Sequence, residues 1–166
     1  MKSIHGWEVI EKANDPRLKN LLVPGTKRSL KVRADIGGYL IAFASEFHEL
    51  ISPIDVGTYD DWGWSPLRDG RASNLPSDHC AGVALDVNAT TTGSQSKSNV
   101  FWIKHPLKAL AMRKLLKKYN LIEWGGDYKR AYDPMHVTFK FELNATKVKA
   151  EMKRMGITPS GIIKPS

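Results

Sequence analysis

Residues 135–143, with the sequence MHVTFKFEL, alternate between apolar and polar side chains along most of their length. Val137, Phe139, Phe141 and Leu143 fall on one face of an extended chain, and His136, Thr138, Lys140 and Glu142 fall on the other. A period of two is typical of a strand that packs one face on the core and leaves the other face polar. The pattern therefore predicts a sheet whose polar face carries a histidine.

Two other segments have the spacing of amphipathic helices. The first is predicted over residues 35–51 and ends before Pro53, and its apolar stripe is Ile36, Leu40, Phe43, Phe47 and Leu50. The second is predicted over residues 106–119, and its buried side is expected to be Leu107, Leu110, Ala111 and Leu115. Helices and strands without a regular βαβ repeat indicate an α+β fold, with a small, mainly antiparallel sheet flanked by helices.

The remaining segments are less regular. Residues 56–66 contain three aromatic side chains and predict an irregular strand, and residues 83–87 alternate and predict a short strand with Asp86 on its polar side. Residues 89–99 are expected to form a polar loop. Prolines and glycine interrupt residues 1–29, which predicts a loose amino-terminal arm with little regular structure.

Length and composition favour a single domain, because 166 residues of which 42% are hydrophobic can bury a sizeable core. We divide it into the arm (1–29), a core (30–145) and a basic tail (146–166). The single cysteine, Cys80, excludes an intramolecular disulfide. The first residues do not have the apolar stretch of a signal peptide, and no run is long enough to span a bilayer, so we expect neither secretory export nor stable membrane insertion.

The net charge of +8 is concentrated in two segments. Residues 104–118 contain six basic residues and no acid, and residues 147–166 contain five basic residues and one acid. Such segments attract polyanions, and charge alone does not choose between nucleic acid, anionic lipid and bacterial wall polymers. Neither helix-turn-helix nor zinc-finger spacing is found, so we expect no nucleic-acid partner.

Two polar clusters interrupt the predicted core elements. One is SDHCAGVALD at residues 77–86, and the other is DPMH at residues 133–136. His79, Asp86 and His136 together form the ligand set of a catalytic zinc site that keeps one position for water. Asp133, three residues before His136, is placed to act as the general base. His5, His48 and His105 do not have such neighbours, and we expect them to be structural.

The two clusters carry a family resemblance. The pattern SxHxxGxAxD, present as Ser77, His79, Gly82, Ala84 and Asp86, is followed by Trp-Gly-Gly at residues 124–126 and by carboxylate-x-x-His at residues 133–136. Over about residues 30–145 the chain resembles the D-alanyl-D-alanine carboxypeptidase and L-alanyl-D-glutamate peptidase family, most closely its phage endolysin branch. These zinc peptidases cut bacterial cell-wall peptides and share a fold with the hedgehog signalling domain.

The resemblance implies roles for individual residues. It implies that His79, Asp86 and His136 bind one Zn²⁺ and that Asp133 is the general base, where many relatives have glutamate. It also implies an oxyanion-stabilising arginine, for which Arg68 is the candidate and Arg71 the alternative. Ser77 is expected to orient the loop of His79, and Trp124 to shape the floor of a substrate cleft.

The function that the resemblance implies is that of a hydrolase, a zinc-dependent peptidoglycan peptidase of endolysin type. As an antimicrobial bacteriophage lysin it would be a monomer that accumulates in the host bacterial cytoplasm and reaches the wall after release, for host cell lysis. Three bonds remain open: L-alanyl-D-glutamate, D-alanyl-diaminopimelate and terminal D-alanyl-D-alanine. Two alternatives also remain, a cysteine-type amidase that uses Cys80 with His79 as base, and a non-catalytic basic module that binds the wall.

Overall fold

The computed structural model describes residues 1–67, 75–93 and 100–165. It is a mixed α+β fold, with two antiparallel sheets and five helices in the described part of the chain, so the predicted fold class is confirmed. The strands are β1 (Leu18–Leu22), β2 (Ser29–Arg33), β3 (Ala84–Asp86), β4 (Ile122–Trp124) and β5 (His136–Phe139). The helices are α1 (Gly38–Leu50), α2 (Ala89–Thr92), α3 (Val100–Lys104), α4 (Pro106–Lys118) and α5 (Ala145–Met155).

The three-stranded sheet has the order β3-β5-β4, and both of its pairs are antiparallel. Val137 and Phe139 of β5 are fully buried, as the alternation predicts. The strand is shorter than predicted, because β5 ends at Phe139 and Glu142 adopts a positive φ of 63°. Phe141, expected on the core face, is consequently 58% exposed.

The amino-terminal residues are more ordered than the sequence suggested. The expectation of an arm with little regular structure is wrong for β1, which pairs with β2 across a turn at Gly25 (φ +83°). The proline and glycine in this region therefore form a hairpin turn and do not break the structure. Further upstream, Trp7, Val9 and Ile10 are at most 6% exposed.

Helix α1 confirms the first helical pattern, except that Leu50 at its end is 56% exposed. Its buried side includes Leu40, Phe43 and Phe47. Gly38 at its start lies against the carboxyl-terminal segment, since a Cβ there would come 2.6 Å from the carbonyl oxygens of Thr158 and Pro159. The core is thus closed by residues beyond the predicted 30–145 boundary.

Helix α4 confirms the second helical pattern, and Leu115 and Ala111 pack on the core as predicted, but the predicted burial of Leu107 and Leu110 is wrong. Leu107 and Leu110 are 80% and 52% exposed, whereas Met112 and Leu115 are buried. The helix contacts the core through the face of Met112 and Leu115, and the apolar residues at its start lie outside that contact.

Two other loop and strand predictions are corrected. Residues 56–66 do not form a strand; within them Trp62 makes a single antiparallel bridge, to Asp86. The predicted polar loop at residues 89–99 contains helix α2, while residues 94–99 lie outside the described part of the chain.

Candidate functional site

Three of the predicted site residues come together at the polar edge of the three-stranded sheet. His79 Nε2, His136 Nδ1 and Asp86 Oδ1 form a compact triangle, with separations of 3.1 Å between the two nitrogens and 3.2 and 3.1 Å from each nitrogen to the carboxylate oxygen. The three residues form a group that could hold a metal ion. The positions predicted from the sequence are therefore adjacent in the fold.

The strand register accounts for two of these positions. Asp86 at the end of β3 lies directly opposite His136 at the start of β5. Directly opposite residues in an antiparallel pair point to the same face, so the carboxylate and the imidazole are neighbours. Two backbone hydrogen bonds between Trp62 and Asp86 also hold the end of β3 from its other side.

His79 is delivered by a 3-10 helical turn over Asp78–Ala81. Ser77 is the N-cap of this turn, and its hydroxyl accepts a hydrogen bond from the His79 backbone N–H at 3.4 Å, as expected for a residue that orients this loop. Gly82 ends the turn in the left-handed conformation, with φ 69°. A Cβ there would lie 2.9 Å from the backbone nitrogen of Arg33, so the turn depends on glycine.

The ring of His79 is fixed from behind. Its Nδ1–H donates to the carbonyl oxygen of Gly63 at 2.7 Å, because a carbonyl can only accept. This bond leaves Nε2 as the ring nitrogen that faces His136 and Asp86. A carbonyl partner on the far nitrogen is the arrangement that orients metal-ligating histidines.

The electrostatics of the triangle favour a charged carboxylate. Burial raises the pKa of Asp86, but its hydrogen bonds to His136 and His79 outweigh burial and hold this pKa well below the usual value. Burial lowers the pKa of His79, but the hydrogen bond and charge of Asp86 raise it on balance. The site thus attracts positive charge to the point where its three ligand atoms meet.

The donor set fits zinc. Ligands held tetrahedrally at the usual Zn–N and Zn–O distances of about 2.0–2.1 Å lie roughly 3.3 Å apart, close to the 3.1 and 3.2 Å separations found here. Two imidazoles and one carboxylate leave a fourth position for water or substrate, as in catalytic zinc sites.

Asp133 lies in the same cleft, but its carboxylate is not hydrogen-bonded to the two histidines as that of Asp86 is. Its Oδ1 is buried and has no hydrogen-bond partner among the described residues. Burial and the neighbouring charge of Asp86 raise the pKa of Asp133 above its usual value. A buried carboxylate oxygen without a protein partner fits a group that binds a water or a substrate atom.

Trp124 and Gly125 position Asp133. The Trp124 indole N–H donates to the carbonyl oxygen of Pro134 at 2.8 Å, and the Asp133 N–H donates to the carbonyl oxygen of Gly125 at 3.0 Å. A Cβ on Gly125 would come 2.1 Å from the Asp133 carbonyl oxygen. Trp124 is only 5% exposed and is not among the described residues that line the cleft, so it braces the Asp133 loop rather than forming the cleft floor.

A cleft of about 760 Å³ surrounds the cluster. Its described lining includes the three clustered residues with Asp133, the aromatic residues Trp62, Trp64 and Tyr128, and a second polar group of His5, Asp78 and Glu123. Trp62 is 45% exposed and offers an aromatic surface at the edge of the cleft. The cleft therefore combines carboxylates with large flat side chains.

The second polar group is a buried network that the sequence did not reveal as part of the cleft. His5 places Nδ1 2.5 Å from Asp78 Oδ2 and Nε2 3.0 Å from Glu123 Oε1. Tyr128 donates to the same Glu123 oxygen at 2.8 Å. Burial lowers the pKa of His5, but the hydrogen bonds and charges of Asp78 and Glu123 outweigh it and raise the pKa to about 9. A carboxylate at each ring nitrogen favours the protonated ring, which can donate to both.

Nothing in the spacing of His5 linked it to residues over 70 positions away. We expected His5 to be structural; it joins this buried network and also borders the cleft. The sequence signal for this network was indirect: Asp78 adjoins His79, and Glu123 adjoins Trp124, and both neighbours belong to the motifs.

The two arginine candidates, Arg68 and Arg71, lie outside the described residues. Cys80 is 3% exposed and is not among the described residues lining the cleft, so its thiol is poorly placed to attack a substrate. The environment of Cys80 fits a small side chain packed in the core.

Comparison with known proteins gives one match. Residues 70–139 match a family model described as D-alanyl-D-alanine carboxypeptidase. The matched range contains His79, Asp86, Asp133 and His136, covers less than half of the chain and supports a peptidase. No curated protein and no solved structure matches the chain. Likeness to the hedgehog fold and to the endolysin branch therefore stays a prediction.

Proposed function

We propose that this protein is a zinc-dependent peptidase that hydrolyses a peptide bond in bacterial peptidoglycan. The observation that carries the proposal is the triangle of His79, Asp86 and His136, beside an Asp133 carboxylate oxygen that has no hydrogen-bond partner among the described residues. The family match supports the peptidase class. The resemblance of the motifs supports the wall substrate.

The chain's own residues divide the chemistry between them. When bound, zinc supplies Lewis-acid chemistry that lowers the pKa of a coordinated water and polarises a carbonyl group. Asp133 takes the proton from water as the water oxygen bonds to the peptide carbon, and it then delivers that proton to the amine nitrogen that leaves. The raised pKa of Asp133 suits a group that both accepts and returns a proton. Trp124 and Gly125 hold Asp133 in place for this transfer.

The finer assignments are part of the same proposal. Arg68, or Arg71 three residues later, stabilises the developing oxyanion. The protein acts as a monomeric endolysin on the L-alanyl-D-glutamate, D-alanyl-diaminopimelate or D-alanyl-D-alanine bond after release from the host cytoplasm. The basic tail, residues 146–166, holds it on the anionic wall.

The test is digestion of purified peptidoglycan, with the released fragments measured by mass spectrometry. We expect fragments from the native protein, loss of activity with a chelator, and recovery when Zn²⁺ is added. The fragment masses name the bond that is cut. Activity that survives the chelator would overturn the zinc mechanism.

Variants separate the alternatives. His136→Ala is expected to abolish both zinc binding and digestion, whereas Cys80→Ala is expected to keep both. Loss of digestion in a folded, zinc-loaded Cys80→Ala protein would favour the amidase. Zinc binding without digestion of any wall type would favour a binding module.

A further inference from the structure

Helices α3 and α4 expose a row of aliphatic side chains to solvent. Val100, Ile103, Leu107 and Leu110 are 59%, 67%, 80% and 52% exposed. Val100 and Ile103 are three residues apart in α3, and Leu107 and Leu110 are three residues apart in α4, so each pair lies on one face of its helix. The two helices meet at His105, whose φ of -122° and ψ of 65° are not helical; its N–H donates to the Phe101 carbonyl oxygen at the end of α3, and its carbonyl oxygen accepts from the Lys108 N–H at the start of α4. We call these four residues the aliphatic row.

The aliphatic row is not needed by the core. The opposite sides of the same helices are already packed, through Phe101, Trp102, Met112 and Leu115, all at most 8% exposed. None of the described residues of α3 and α4 lines the cleft around His79. The row is therefore an apolar surface that neither the fold nor the candidate site uses.

The aliphatic row lies among positive charges. Residues 100–118 contain six Lys and Arg residues and no acid. Arg113 and Lys118 are paired with Asp127 and Glu46. In the described part of the structure, the remaining lysines of these two helices, Lys104, Lys108, Lys114 and Lys117, form no ion pair with a carboxylate. An apolar row flanked by unpaired lysines is the composition of a helix that lies in the interface of an anionic bilayer.

Helix α5 is a basic surface of the same protein without an aliphatic row, and so serves as a comparison for α3 and α4. It carries Lys147, Lys149, Lys153 and Arg154, yet exposes no large aliphatic side chain. A hydrophilic polyanion would bind either helix by charge and would gain nothing from Leu107 or Ile103. The aliphatic side chains of α3 and α4 thus favour lipid over a wall polymer.

A second copy of the chain is a poor occupant for this surface. Isologous pairing would place the basic face of α4 against the same face of the partner, and like charges at close range oppose such contact. Among the described residues, no helix is long and apolar enough to cross a bilayer, so the binding is peripheral. From the aliphatic row and its lysines we infer that α3 and α4 form a binding surface for an anionic lipid membrane, separate from the cleft.

The test is sedimentation of the full-length protein with vesicles. The two probes are vesicles of phosphatidylglycerol mixed with phosphatidylcholine, and vesicles of phosphatidylcholine alone. We expect binding to the first that is at least about tenfold stronger than to the second. The variant Ile103→Ser/Leu107→Ser keeps the charge and should bind the anionic vesicles about tenfold more weakly, because it removes aliphatic contact.

Two matched controls accompany this variant. Leu22→Ser/Leu50→Ser changes two leucines that are each 56% exposed elsewhere on the surface and should bind as the native protein does. Lys108→Gln/Lys114→Gln should weaken binding to anionic vesicles, whereas Lys149→Gln/Lys153→Gln on α5 should not. Circular dichroism confirms that each variant is folded.

Three results would overturn the inference. The native protein could fail to sediment with anionic vesicles. The Ile103→Ser/Leu107→Ser variant could bind them as tightly as the native protein, which would assign the surface to charge alone and so to a polymer. Equal loss in the Leu22→Ser/Leu50→Ser control would remove the specificity for α3 and α4. None of these results depends on peptidase activity, so failure of this inference would not contradict the proposed function.

Discussion

Two aspartates in one cleft have opposite environments. The pKa of Asp86 is held well below its usual value because its hydrogen bonds to His136 and His79 outweigh burial, whereas burial and the charge of Asp86 raise the pKa of Asp133. Titratable neighbours whose pKa values are pushed apart are typical of groups with different roles. The lower pKa suits a permanent ligand, and the higher one suits a proton carrier.

Replacing Asp133 with asparagine should separate these roles. Asp133→Asn keeps the shape of the side chain but cannot accept the proton, so we expect peptidoglycan digestion to fall by roughly 10²–10⁴-fold. Zinc binding should persist, because the cluster of His79, Asp86 and His136 does not include this residue. Zinc content by atomic emission and digestion rate are the two measurements. A variant that loses its zinc together with its activity would make Asp133 a ligand instead.

At the scale of single elements, periodicity predicted which side chains share a face. It did not predict where a strand ends or whether a face is covered by another element. The alternation around His136 and Asp86 gave the right strands and the right polar face, because period two is imposed by the strand itself. The ends were wrong: β5 stops at Phe139, and Leu107 lies outside the core although its spacing is helical. Spacing shows which side chains share a face, but not whether another element covers them.

The candidate site was predictable in part, because some of its residues lie in short local motifs and others meet only through tertiary packing. His79, Asp86 and His136 lie in short motifs whose residue types indicate metal binding, and the structure brings them together. The partner of Asp78 was not predictable, because His5 reaches it over a long sequence separation and through tertiary packing alone. Trp124 was assigned to the cleft, yet its indole hydrogen bond shows that it holds the adjacent loop.

Gly82 ends the turn that carries His79, and its replacement should weaken that element. Gly82→Ala introduces a side chain at φ +69° and 2.9 Å from the Arg33 backbone nitrogen. We expect a loss of about 2–4 kcal/mol in the free energy of unfolding, from left-handed strain of roughly 1–2 kcal/mol and the added steric overlap. Zinc affinity should fall too, because the His79 turn must shift.

Gly57 provides the matched control for this substitution. Its φ is +72°, but a Cβ there would meet nothing within 4 Å. Gly57→Ala should therefore show only the backbone strain, with zinc affinity unchanged. Urea unfolding and zinc titration measure both effects. Equal losses in the two variants would show that the close approach to Arg33 contributes nothing.

The buried network of His5, Asp78 and Glu123 makes the stability of the fold depend on pH. The folded-state pKa of His5, about 9, exceeds its ordinary value of 6.5, so protonation is favoured by folding. The contribution of protonated His5 to the free energy of unfolding is complete below about pH 6.5 and is lost as the pH rises through 9. A shift of this size corresponds to roughly 3 kcal/mol.

The variant His5→Gln should remove that part of the pH dependence. We expect the difference in unfolding free energy between native protein and variant to shrink as the pH rises from 6 to about 9.5. Urea unfolding of both proteins in chelator measures this difference without contributions from metal binding. A difference that stays constant with pH would show that His5 is not charged in the folded state.

At the scale of the whole molecule, charge is segregated. Four carboxylates, Asp78, Asp86, Glu123 and Asp133, are among the described residues that line the cleft, although the chain as a whole carries +8. The positive charge lies on α4 and on α5 with the residues that follow it. The negative cleft favours a cation at its centre, while the positive helices attract an anionic surface over distances set by salt.

This segregation predicts that salt affects wall digestion but not the chemical step. Raising the salt from about 20 to 200 mM shortens the screening length about threefold and should slow digestion of intact anionic wall by roughly fivefold. Hydrolysis of a short soluble stem peptide should change by less than about twofold, since it needs the cleft and not the helices. The variant Lys149→Gln/Lys153→Gln should digest the wall more slowly at low salt and with a weaker salt dependence. Equal salt dependence for wall and peptide would place the effect in the cleft, and α5 would then have no part in holding the wall.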